Sequence, residues 1–165
     1  MIYFTVISTI LFFGFIILNV FIFGILSSYS AYGTIWGKKK IFGLNLWSVI
    51  TIVSAFLLTP PLIDKGIDNP LQFLGFLTPV YLICVGLTPG WEENDKEGLL
   101  HCIFAGLCAV CGLLWIFLVS GNYWPMLLIV IEVMIAALIT RTALYAFVFW
   151  LELIMFLSTY GALYA

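Results

Sequence analysis

Long apolar stretches separated by short polar breaks run through the whole chain, and six of them are long enough to cross a bilayer. They cover about 2–27, 44–60, 70–88, 98–119, 125–140 and 142–164. A spanning α-helix needs roughly 20 apolar residues. The runs are continuous rather than alternating, which favours helices over the strands of a membrane barrel.

The breaks carry recognisable punctuation. Between the first two spans, Tyr29, Tyr32 and Trp36 suit the headgroup belt, and Lys38, Lys39 and Lys40 mark a water-exposed loop. Thr59-Pro60-Pro61 is expected to end the second span, because proline lacks a donor and disfavours helix just before it. Asp68 or Asn69 can cap the third helix, with Pro70 in its first turn. Pro79 removes the helical donor to Gly75, so a kink is expected there. Thr88-Pro89-Gly90 closes that span, and the polar segment WEENDKE follows, with Asn94 and Glu97 at capping-box spacing. Ser120-Gly121-Asn122 forms a turn before Pro125 opens the fifth helix, and a short break at Arg141 leads into the sixth. Trp47, Trp91, Trp115 and Trp124 also read as belt residues near span ends.

Composition strengthens the membrane reading. The 165 residues are 64% hydrophobic and only 8% charged, whereas soluble domains carry roughly a quarter charged residues. The expected fold is an all-α integral membrane bundle of six helices, one polytopic domain over 1–165. The first span has no basic region before it and is read as permanent rather than as a cleaved signal. Lys38, Lys39, Lys40, Lys96 and Arg141 fall on one side and Lys65 on the other. The positive-inside rule then puts both termini on the non-cytoplasmic side. The expected location is a multi-pass one, in a bacterial-type inner membrane or a plasma membrane.

Charge and motif content narrow the chemistry. The net charge of −2 and the absence of basic-aromatic interleaving exclude a nucleic-acid partner. No phosphate loop, serine-nucleophile motif or zinc-ligand pair occurs, and neither a metal nor a cofactor is expected. Cys84, Cys102, Cys108 and Cys111 lie in apolar runs, and Cys108 and Cys111 read as small helix-contact residues.

Glu132 and Glu152 stand out as lone carboxylates near the centres of spans five and six. A carboxylate at that depth normally faces a partner or a cavity. The pair reads as a proton- or cation-binding site, against which stand packing between helices and an interface with another subunit. Asn19, Thr78 and Pro79 add polar or kinked positions, and Tyr145, Glu152 and Thr159 share one helical stripe. At the cytoplasmic rim, His101 with Glu92, Glu93, Asp95 and Glu97 forms a second candidate cluster. The leading functional reading is a small channel, transporter or translocating subunit that uses the mid-membrane glutamates. One alternative is an accessory subunit of a membrane complex. The other is an enzyme acting on a lipid or isoprenoid carrier at the rim. Expected partners are the lipid bilayer and either further copies of the chain or other membrane subunits.

Overall fold

The computed structural model describes residues 1–36, 40–41, 44–89, 91, 95–121, 124, 131 and 147–165. Glu132, Tyr145, Glu92, Glu93, Asn94, Arg141, Lys38, Lys39 and the expected fifth span apart from Ile131 lie outside these residues. Helix α1 covers Ile2–Phe23 and α2 covers Ala31–Trp36. Two short strands, β1 (Lys40–Ile41) and β2 (Leu44–Asn45), pair antiparallel, with Lys40 opposite Asn45. Helices α3 (Leu46–Lys65), α4 (Phe73–Gly86), α5 (Asp95–Leu114) and α6 (Phe147–Tyr164) follow. A π-turn at Trp115–Val119 extends α5. Among the described residues, four helices are long and apolar enough to cross a membrane: α1, α3, α5 with its π-turn, and α6. Helix α4 is apolar but shorter.

Several boundaries differ from the sequence reading. Helix α1 stops at Phe23, four residues early, because Gly24 adopts φ +75° and donates back to Val20 O at 2.9 Å. That left-handed conformation costs glycine little and ends helices readily. Helix α3 does not stop at Pro60-Pro61; it runs on to Lys65. The proline ring holds φ near its helical value, so the cost is the lost donors and crowding of the preceding turn. Burial of Pro61 beside the start of α1 and of Leu62 against α4 then favours continuation over termination. Helix α4 begins at Phe73 rather than 70, after a run of turns from Gly66 to Gln72. Asn69 Oδ1 accepts from Leu71 N within those turns, and Asn69 Nδ2 donates to Leu118 O at the end of α5.

Helix α1 packs on α3, α3 on α4, and α4 on α5, while α6 touches α1, α3 and α5. Directions follow from which ends meet. The start of α1 lies by the ends of α3 and α6, so α1 is antiparallel to both. Leu62 late in α3 meets Gly75 early in α4, and Thr88 after α4 meets His101 early in α5. Small residues set the closest approaches. A Cβ on Gly75 would lie 2.8 Å from Leu62 O and 2.9 Å from Trp115 Nε1, closer than real side chains come. Small and polar residues face inward on three helices: Ser48 and Ala55 on α3, Gly75, Thr78 and Gly86 on α4, and His101, Cys108 and Gly112 on α5 are buried, with Thr59 and Ala105 half-buried beside them.

Trp47 and Trp115 are fully buried, and Tyr29 and Tyr32 are 3% and 0% exposed, so these four are core residues rather than belt residues. Their rings pack inside the bundle, Tyr29 on Phe12, Trp47 and Phe156. Gly75→Ala is expected to destabilise the protein by about 1–3 kcal/mol, since overpacking against backbone cannot relax through a side chain. Gly106→Ala, where a Cβ meets nothing within 4 Å, should be neutral or stabilising by up to about 1 kcal/mol. Unfolding in detergent micelles measures both.

Candidate functional site

The segment between α1 and α2 creates the site. After Gly24 the chain turns back into the bundle instead of leaving it. The ring of Tyr29 lies 5.1 Å from that of Phe12, near the middle of α1. Ser27, Ser28 and Ser30 favour this path because serine hydroxyls compete for local backbone bonds. Ser28 Oγ accepts from Ala31 N at 3.1 Å and so caps α2.

Backbone buried away from water must find partners, and inside a bilayer each missing one costs several kcal/mol. The 24–30 segment is accordingly tied at almost every residue. Tyr32 Oη donates to Gly24 O at 2.6 Å. Phe149 N, at the start of α6, donates to Ser27 O at 3.1 Å. Ala31, Tyr32 and Gly33 N–H groups donate to the carbonyls of Ser28, Tyr29 and Ser30. Tyr29 N donates to Glu152 Oε2 at 2.6 Å. The carboxylate of α6 thus serves as a backbone acceptor for the re-entrant segment. At the far end of the same residue, Tyr29 Oη and Thr51 Oγ1 of α3 are 2.9 Å apart.

Glu152 is half-buried and borders a cavity of about 60 Å³. Tyr29 and Ser30 form one wall; Leu82 and Val85 of α4, Cys108 of α5 and Met155 of α6 form others. A water molecule occupies roughly 30 Å³, so one or two would fit. The walls are largely apolar, and the carboxylate is the strongest polar group facing in. Glu152 lies one turn from Phe156, whose ring packs at 4.5 Å on Phe12. That places the carboxylate about 6 Å from the level of the middle of α1.

The other candidate residues separate from this site. Cys108 joins it, donating from Sγ to Thr78 O at 3.4 Å, so α4 and α5 meet on the cavity side. Thr78 Oγ1 returns to Leu74 O, and Thr159 Oγ1 to Met155 O, each within its own helix. Pro79 is fully buried in α4. Asn19 is also buried, but it works elsewhere: its Oδ1 accepts from Trp36 Nε1 at 2.7 Å and fixes the end of α2 against α1. Among the described residues, no three His, Cys, Asp or Glu side chains converge to hold a metal.

His101 is only 4% exposed. Its Nδ1 lies 3.0 Å from Thr88 Oγ1 and 3.2 Å from Thr88 O. Thr88 Oγ1 itself donates to Val85 O, which leaves Nδ1–H as the donor to Thr88. The imidazole stacks on Trp91 at 5.2 Å, with 15° between planes. Asp95 is exposed and Glu97 half-buried in the first turn of α5, where acidic groups oppose the positive helix end.

Sequence reasoning overlooked Tyr29, Ser30, Thr88 and Trp91 as site residues. The run of serines around Tyr29 was the available signal, and it was read as an interfacial loop. A second polar tie also went unseen. Ser8 Oγ donates to Ser54 O at 2.9 Å and lies 2.7 Å from Tyr160 Oη, joining α1, α3 and α6. Comparison with protein-family models, with curated proteins and with solved structures finds no match to this chain.

The Tyr29–Thr51 tie can be measured. A double-mutant cycle of Tyr29→Phe and Thr51→Val is expected to give a coupling of about 0.5–1.7 kcal/mol, in the range of hydrogen bonds between membrane helices. Additive single effects, read from unfolding in detergent, would remove the bond from the account.

Proposed function

We propose that this chain is a multi-pass membrane protein in which Glu152 binds and releases a proton or a small cation, as part of a channel, transporter or translocating subunit. The observation that carries this reading is the bond from Tyr29 N to Glu152 Oε2 at the edge of a small, half-open cavity between the helices. Non-helical backbone at membrane depth is tolerated where it is buried in protein or lines a cavity. Broken segments of that kind supply ion-binding groups in transporters. Intramembrane carboxylates are costly, and their usual use is in ion or proton pathways.

The six-span topology belongs to the same proposal. Helices α5 and α6 pack with Cys108 beside Glu152 and Gly112 beside Met155, so they run in the same direction. A further span between them is what that requires. With the lysine and arginine bias, both termini then face away from the cytoplasm. Glu132 falls within this additional span by sequence and remains a proposed partner group for Glu152. The rim-enzyme alternative draws less support, since His101 is committed to Thr88 and stacked under Trp91.

Glu152→Gln tests the reading. The amide oxygen can still accept from Tyr29 N–H, so the fold is expected to survive, whereas the titratable group is gone. In reconstituted vesicles the variant is expected to lose pH-linked ion flux while unfolding at nearly the wild-type temperature. Flux equal to wild type in a folded variant would refute the assignment.

A further inference from the structure

We infer that water and ions reach Glu152 from the side of the α4–α5 connection, through a polar plug made of Thr88, His101 and Trp91. This deepens the reading of Glu152 as a proton- or cation-binding group and rests on it.

Helix register locates the plug. On α4, Leu82 and Val85 line the cavity, and Thr88 lies one turn further along. On α5, Ala105 and Cys108 line it, and His101 lies one turn before Ala105. Thr88 and His101 therefore stand on two neighbouring walls at the same end of the cavity. The bond from His101 Nδ1 to Thr88 Oγ1 and O bridges those walls. The third wall is tied to them by Trp91. Its indole Nε1 donates to the carbonyl of Ser30 at 3.3 Å, and Ser30 lines the cavity beside Tyr29. The same indole stacks on His101. One aromatic ring thus joins the re-entrant segment to the bridge across α4 and α5.

The two ends of the cavity differ in chemistry. At the far end Phe156 packs on Phe12 and Tyr29, a purely aromatic contact through which water and ions pass poorly. One turn beyond the other end stand the Thr88 hydroxyl and the His101 imidazole, bonded to each other, and the Trp91 indole, bonded to the Ser30 carbonyl. Beyond them lie Asp95 and Lys96, both exposed, about 9 Å from His101 along α5. The polar plug therefore separates the charged end of α5 from the carboxylate. Trp91 lies outside the helices, is only half-buried, and holds Ser30 by a bond of 3.3 Å.

Cys108 provides a native reporter, because its thiol faces the cavity and is only 8% exposed. The protein in membrane vesicles would be treated with a charged, water-soluble methanethiosulfonate, and labelling of Cys108 followed by peptide mass mapping. Trp91→Ala is expected to raise the labelling rate about tenfold, the scale of losing one aromatic contact and one hydrogen bond. Trp91→Phe keeps the ring and removes the indole donor. It guards against a variant that fails to fold, and it is expected to raise the rate about threefold. An unchanged rate in the folded Trp91 variants overturns the route. So does an equal rise in Met155→Ala, which opens the cavity away from the plug. The test reads solvent entry rather than flux. If Glu152→Gln leaves flux intact while Trp91→Ala opens the cavity, the functional reading fails and the route stands. If Glu152→Gln abolishes flux while Cys108 labelling ignores Trp91, only the route fails.

Discussion

A chain that leaves its helix and re-enters a packed bundle must supply a partner for each N–H and C=O it carries inside. Residues 24–30 set this requirement here, and much of the surrounding structure answers it. Gly24 is held by Val20 and Tyr32, Ser27 by the first turn of α6, Tyr29 by Glu152, and Ser30 by Gly33 and Trp91. The placement of α2 and the contacts of Phe149 and Trp91 thus meet at one segment of irregular backbone.

Glu152 stands where structural and chemical demands coincide. A carboxylate among apolar helices is unfavourable without hydrogen bonds, and an unpaired amide in the same place is unfavourable too. Joining them relieves both, and a bond to an ionised acceptor is stronger than one between neutral groups. Any change at the carboxylate therefore acts directly on the backbone of Tyr29. Tyr29 is in turn bonded to Thr51 through its phenol, and the next residue, Ser30, to Trp91. The cavity lies at the meeting point of these contacts, bounded by α4, α5 and α6.

Some of this could be read from residue order. Continuous apolar runs without alternation favour helices at such composition, and four such helices are present among the described residues. Glu152 was recognisable as a residue needing a partner, and Cys108 and Cys111 as helix-contact residues. The partners were not recognisable. Tyr29, Tyr32, Trp47 and Trp115 have amphipathic rings, which suit a headgroup region and a packed core equally well, although only the two tyrosines hydrogen-bond there. Proline marked a boundary at Pro60-Pro61 that packing overrode, because its cost is a lost donor and crowding of the preceding turn, not a forbidden angle. Asn19 and Glu152 looked alike as buried polar residues, yet one anchors α2 and the other borders the cavity.

Residue order by itself determined that this chain forms apolar helices, where several begin and end, and that Glu152 is out of place among its neighbours. Those properties depend on hydrophobic period, length and the preferences of single residues, all of which are local. Only the tertiary structure decided that the chain doubles back after Gly24, that Tyr29 reaches Glu152 across 123 positions of sequence, and that His101 and Trp91 close over the same cavity. The reason is physical. A buried donor must be paired, but nothing in its local sequence says which distant acceptor will arrive beside it once the helices pack.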